Sequence, residues 1–249
     1  MINKLCLGTA QFGSVPYGIS NITGKVDDQT LKSILECCIE SNIHTLDTAS
    51  AYGDSQARIG RCSFYNWHII SKVPRLRGLE SDQIKSTLIS IVQKSLTDLH
   101  VDSLDTLLIH DSKDLASSSS DLIYTSLLEL KEAGIVKSIG VSIYTPDDFY
   151  SISPDYKLDI VQAPWNVFDQ SLCTSGLVDD LNRLNIKIAT TNTNKLFHIK
   201  MGLFIDEEED YVAFSGSQNE SQHSVEDAFE GIDVYTSWED TSRAKKKRE

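Results

Sequence analysis

Positive charge is in short supply. Asp and Glu number 36 against 23 Lys and Arg, a formal net charge of −13 at pH 7. That balance argues against a general nucleic-acid-binding surface, which needs a basic excess or a basic face. It leaves room for a local anion pocket. The chain also lacks any apolar run of the roughly 18 residues that a bilayer span requires. Its opening, MINKLCLGTAQFG, lacks the basic-then-apolar layout of a signal peptide, because glycine and glutamine interrupt it at once. A cytoplasmic protein with no membrane partner is the expectation. Cysteine is sparse: five residues, at 6, 37, 38, 62 and 173, form no C-x-x-C pair and no zinc-type spacing. They are expected to be small packing residues in a reducing compartment, with no metal site.

What is present is ordinary globular material. Forty percent of the residues are hydrophobic and 24% charged, enough for a sizeable core and little disorder. From the start to about residue 190 short β-branched apolar runs alternate with amphipathic stretches. KLCLGT (4–9), HTLDTA (44–49), HIISKV (68–73), DTLLIHD (105–111), SIGVSI (138–143), DIVQAP (159–164) and IKIATT (186–191) are the seven strand candidates. Between them, Leu31, Ile34, Leu35, Cys38 and Ile39 fall at helical spacing. Ser81 is placed to cap a helix carrying Ile84, Leu88, Val92 and Leu99, and Gly134 to end one carrying Leu127 and Leu130. Thr145-Pro146 reads as a cap and first turn, and residues 175–185 as one further helix. Strands alternating with helices predict a parallel sheet, and seven such units predict a closing (β/α)8 barrel more than an open sheet. Such a barrel needs about 250 residues, so a chain of 249 leaves nothing spare.

After Thr191 the rhythm breaks. An acidic run (206–210), a strand candidate YVAFSG (211–216), a helix start near Ser224, the stretch IDVYTSW (232–238) and a basic end SRAKKKRE follow, with no eighth strand and helix in the earlier style. The expected division is therefore an incomplete barrel over 1–191 and an unrelated α+β segment over 192–249. A barrel truncated after its seventh strand has two unpaired edges, and YVAFSG is the candidate to stand in for the missing strand.

Four residues fall where barrel chemistry is found, at the C-terminal ends of strands: Asp47, Tyr52 in the loop that follows it, Lys72 and His110. Singly, each has an ordinary reading as a turn, rim, surface or loop residue. Together, on three successive strand ends, they suit one reaction. A tyrosine with an ordinary pKa of about 10 becomes a usable acid when an ammonium favours its phenolate. Lys72 can supply that charge, Asp47 can hold the lysine, and His110 can donate to a carbonyl oxygen while Tyr52 protonates it.

The segments LCLGTAQFG, TLDTASAYGDSQARIG, HIISKV, LLIHD, IGVSIYTPDDF and DIVQAPWNVFDQ, in this order over roughly residues 3 to 190, resemble the aldo/keto reductase family. The resemblance implies a (β/α)8 TIM barrel, NADPH as the usual cofactor, a small-molecule carbonyl substrate, and the tetrad Asp47, Tyr52, Lys72 and His110. It further implies that Ser142 and Gln162 contact the nicotinamide carboxamide, with Gly8, Thr9 and Asp47 nearby. The spelling resembles a bacterial branch linked to surface-sugar synthesis. Ile143 stands where many members place an asparagine, and the family's pyrophosphate-binding residues after strands seven and eight fall where this chain leaves the pattern.

The tail carries its own resemblance. HIKMGLFID followed by GSQN, over about residues 194 to 245, resembles the H-x-K-x-x-x-x-D and G-S-x-N signature of the phospholipase D-like superfamily in its helicase-associated form. It implies a phosphate site of His198, Lys200, Ser217 and Asn219, with Ile205 at the usual aspartate position and Asp206 one residue late. That family needs two such motifs, so a single copy would act in a homodimer, and nucleic acid would enter only through this segment. The leading expectation is an NADPH-dependent carbonyl reductase impaired by loss of its C-terminal cofactor segment. The alternatives are a catalytically inactive barrel-like binding protein and a dimeric phosphodiesterase.

Overall fold

The structure is a computed structural model. It describes residues 5–14, 26–62, 65–165 and 169–191, and the backbone of 200–205, 211–216 and 232–236. Two compact units result, Met1–Asn192 and Thr193–Glu249.

In the first unit strands and helices alternate. The strands are β1 (Leu7–Gly8), β2 (Thr45–Asp47), β3 (His68–Val73), β4 (Leu104–Ile109), β5 (Val136–Ser142), β6 (Ile160–Pro164) and β7 (Lys187–Thr191). The helices are α1 (Asp28–Glu40), α2 (Ser55–Cys62), α3 (Ser81–Leu99), α4 (Ser120–Glu132), α5 (Pro146–Tyr150), α6 (Ser171–Thr174) and α7 (Leu177–Arg183), with 3₁₀ turns at Ala10–Phe12 and Ser112–Asp114. All seven strand candidates are present, several shortened at their ends.

The seven strands form one parallel sheet in the order β1-β2-β3-β4-β5-β6-β7. The order never reverses. Right-handed crossovers that always step the same way put every connecting helix on one face, and a twisted sheet so covered coils around its other face, as a barrel does. Both faces of the central strands are consequently buried. β4 shows it: Leu104, Thr106, Leu107, Leu108 and Ile109 are all buried, the near-continuous run expected of a parallel strand. Among the described residues β1 and β7 each have a single partner strand.

Four helix-to-strand turns repeat one geometry. Asn42, His100, Gly134 and Asn185 adopt positive φ, between 56° and 71°. The residue after each donates its N–H back into the helix: Ile43 to Cys38, Val101 to Leu96, Ile135 to Leu130 and Ile186 to Leu181, at 2.8–3.1 Å. This is the six-to-one bond of a Schellman cap, which turns the chain sharply and delivers an apolar residue to the next strand. Gly134 thus ends α4 as its position predicts. Thr145 and Asp148 form the predicted cap of α5 as a reciprocal capping box.

Two local expectations need correction. Ser81 is the first helical residue of α3 and caps nothing; Glu80 is the N-cap, and the backbone bond from Gln83 N to Glu80 O (2.9 Å) closes the turn. The helix expected over 175–185 is present as α7, a little shorter at both ends; Gly176, its N-cap, takes a left-handed conformation (φ 80°) that separates it from the preceding turn α6. YVAFSG does not replace the eighth strand. In the second unit β8 (Lys200–Ile205), β9 (Tyr211–Gly216) and β10 (Ile232–Thr236) form an antiparallel sheet in the order β10-β9-β8. As its central strand, β9 has both edges hydrogen-bonded and none left for a parallel neighbour. The helix start near Ser224 lies outside the described residues.

Among the described residues no helix is long and apolar enough to cross a membrane, and no group of three His, Cys, Asp or Glu could hold a metal ion. All five cysteines are free thiols.

Candidate active site

The ladder β1-β2-β3-β4 lines up the ends that carry the predicted tetrad. Gly8 pairs with Asp47, Asp47 with Ile70, Lys72 with Leu108 and Val73 with Ile109. His110 N donates to Val73 O at 3.0 Å, extending the β3–β4 ladder by one step.

Lys72 is 2% exposed, and its ammonium makes a close ion pair with Asp47 Oδ1 and donates to Thr48 O at 3.2 Å. Burying an amine this deeply is costly unless it is paired and hydrogen-bonded; here it is both. The same Nζ stands 5.4 Å from the ring centroid of Tyr52. Tyr52 is itself buried, and His110 meets its ring edge-on, centroids 6.2 Å apart and planes at 82°. Burial, then the positive charge of Lys72, push the His110 pKa below its ordinary 6.5, opposed by Asp47 and Asp111. The imidazole is therefore neutral near pH 7 and carries one N–H to donate. All four residues come together at one end of the sheet.

The residues that hold them include Thr9, expected from the family resemblance only as a neighbour of the cofactor, and others with no such expectation. Thr9 N and Oγ1 both donate to Asp47 O (2.9 and 3.1 Å), and Ser55 Oγ donates to Thr9 O at 2.8 Å, so the Thr9 hydroxyl fixes the end of β2. Ser50 Oγ donates to Lys72 O at 3.0 Å. Gly13 packs directly on the backbone of Tyr52: a Cβ there would lie 1.9 Å from Tyr52 O. Arg58, on α2 and 2% exposed, donates to Phe12 O and Val26 O (both 2.6 Å) and pairs with Asp28, stapling the loop over Tyr52 to α1 and α2. The one available signal was a charged residue on what would be the inner face of α2.

On the far side of the sheet Ser142 and Gln162 are register partners in β5 and β6. Gln162 is 4% exposed, and among the described residues its side-chain amide has no hydrogen-bond partner. Ile143 is buried and donates only its backbone N–H, to Gln162 O at 2.8 Å, so it offers no side-chain amide. Gly8 faces open space where a Cβ would stand. Trp165, just past β6, is 42% exposed, a flat apolar surface that the sequence reading passed over. In the second unit Lys200 is in register with Gly216; His198, Ser217 and Asn219 lie outside the described residues.

Comparison with known proteins bears on the fold and the family. The chain is 27% identical over 192 residues to oxidoreductase sirO of Leptosphaeria maculans, a match covering 74% of this chain and 57% of that one. It thus spans little more than half the length of that curated relative. Among solved structures, an aldo-keto reductase-like protein of Pseudomonas aeruginosa, PA4992, superposes with a TM-score of 0.62 at 22% identity, covering 76% of this chain and 73% of its own. An aldo-keto reductase of Klebsiella pneumoniae in complex with NADPH superposes with a TM-score of 0.56 at 18% identity, covering 73% and 61%. At these identities the two structures speak for the fold. The sequence model of the aldo/keto reductase family matches residues 4–241. With that match spanning most of its length, the chain belongs to the aldo/keto reductase family.

Proposed function

We propose that residues 1–191, within the first unit, are the catalytic part of an NADPH-dependent oxidoreductase that reduces an aldehyde or ketone, a sugar-related carbonyl being one candidate. The observation that carries this reading is the buried Lys72–Asp47 pair beneath Tyr52, with neutral His110 at the edge of the same ring. Structural ion pairs are normally surface features; one buried beside a phenol at the C-terminal end of barrel strands suits proton donation.

The residues present fit a nicotinamide. Gln162 offers an unspent amide for a carboxamide partner, Ser142 stands opposite it in register, and the open space before Gly8, beside Asp47 and Thr9, accommodates a flat ring. When bound, the nicotinamide supplies the hydride that reduces the carbonyl carbon. Tyr52 gives its hydroxyl proton to the carbonyl oxygen as general acid. Lys72 stabilises the phenolate left behind, Asp47 holds the ammonium in place, and His110 donates a hydrogen bond to the same oxygen. Turnover of NADPH with aldehydes by the full chain tests the reading. The Tyr52→Phe variant should lose at least about 100-fold in kcat, the low end of what a positioned acid contributes, with unchanged Tm; unchanged kcat would overturn it.

The tail supports a second reading, of ancestry more than turnover. Lys200 lies in register with Gly216, so one described residue from each half of the phospholipase D-like signature faces the other on neighbouring strands. A residual phosphodiesterase built on His198 and Lys200 in a homodimer would cleave bis(p-nitrophenyl) phosphate and lose that activity in His198→Ala. Equal hydrolysis by the variant counts against it.

A further inference from the structure

The loops after β3 and β4 flank His110, and one buried carboxylate ties them together. Asp114 is fully buried; its oxygens accept from Leu76 N (2.8 Å) and Arg77 N (3.0 Å) across the gap between the loops. Leu76 is itself buried and anchors the first loop. In the second loop Asp111 Oδ1 accepts from Lys113 N at 3.2 Å, which fixes the 3₁₀ turn. Each pinned loop displays one cation next to its anchor: Arg75 precedes Leu76, and Lys113 precedes Asp114. Both are exposed, and among the described residues neither side chain has an ionic partner.

The neighbouring acids are committed elsewhere. Asp111 Oδ2 lies 2.6 Å from Arg77 Nη1, Asp114 holds the two loop amides, and Asp148 on α5 accepts from Tyr144 N and Thr145 N. Among the described residues both cations stay without an ionic partner in a chain that carries −13 overall. An exposed lysine or arginine with no task is ordinarily free to sit on a flexible segment. Both loops are pinned by one buried carboxylate, which also stands 3.5 Å from Arg77 Nη1, and such pre-organisation lowers the cost of gripping a ligand.

We infer that Arg75 and Lys113 form an anion subsite on the rim beside His110, and that the substrate is a carbonyl compound carrying a carboxylate or phosphate. This rests on the reductase reading and adds the substrate's charge. Arg presents a fork matched to either group, and Lys a point charge. The subsite would bind the acidic end of the substrate while the carbonyl lies at Tyr52.

The test pairs neutral and anionic ligands of similar shape. Binding of glycerol against glycerol 3-phosphate, and of 1-butanol against 4-hydroxybutyrate, is measured calorimetrically on the full chain with NADPH present. The corresponding aldehydes are assayed for turnover. A charge-assisted contact corresponds to about tenfold or more in affinity, so the wild type should prefer at least one anionic ligand by that factor. The double variant R75A/K113A should lose the preference while keeping its affinity for the neutral ligands and its Tm. The two pairs tell phosphate from carboxylate. Equal affinity for charged and neutral ligands, or a preference that survives in the double variant, overturns the subsite. Turnover failing with every aldehyde while the binding preference holds would instead count against the reductase reading and leave the subsite standing.

Discussion

Lys72 is the residue whose position most needs a cause. A buried ion pair is weak evidence for stability, since desolvation offsets much of the attraction. Its burial is explained if the charge serves Tyr52. His110 gives the residue scale its pH signature. Its folded pKa lies below 6.5, chiefly through burial and then through Lys72. In the window between that value and 6.5 the unfolded chain binds the proton and the folded chain does not. Stability is therefore full above 6.5 and falls as the pH drops through the window. Thermal unfolding of wild type and His110→Gln from neutral pH down through this range should show the wild type losing more Tm than the variant. Parallel curves would mean that His110 is not held neutral. Asp47, Lys72 and His110 were legible in the sequence because each ends an apolar run. Gly13 and Thr9 were not read as supports for Tyr52 and Asp47, since a close backbone approach leaves no periodic trace.

At the scale of elements, α2 shows why part of the frame was hidden. Its sequence, SQARIGRC, buries Ser55, Gln56, Arg58, Ile59 and Gly60, so polar residues occupy the inward face and the hydrophobic period that marks α1, α3 and α4 is lost. The buried polar groups are satisfied one by one: Ser55 by Thr9, Gln56 by Ser71 at 2.8 Å, Arg58 by two carbonyls and Asp28. Truncating Arg58 strands the carbonyls of Phe12 and Val26, each costing about 1–3 kcal/mol if it stays dry. Arg58→Met should lower the unfolding free energy by about 3 kcal/mol. It should also reduce kcat more than it raises KM, because the loop resting on Tyr52 loosens. Denaturant titration reads the first effect and steady-state kinetics the second; a stability loss with kinetics untouched would make Arg58 a fold residue only. The αβ turns were partly readable. Gly134 announces itself, whereas His100, at φ 58°, takes a conformation that its side chain tolerates but does not advertise.

The whole molecule poses the question of completeness. Seven parallel strands are ordered as in a barrel, and the last described segments form a separate antiparallel sheet in the second unit. Alternating strands and helices made the first arrangement legible up to residue 191. The second was legible only as one strand, YVAFSG, because β8 and β10 acquire their meaning from pairing with it and not from any pattern of their own. The family match runs on to residue 241, across the point where the barrel rhythm stops, so cofactor binding by the 249-residue chain is the decisive property. A fluorescence titration of the 249-residue chain with NADPH, beside the Gln162→Ala variant, measures it. Saturable binding in the micromolar range is expected for the wild type. The variant should bind about tenfold more weakly, as expected for one lost hydrogen-bonding contact to the carboxamide. No saturable binding by a sample that still unfolds cooperatively would contradict it.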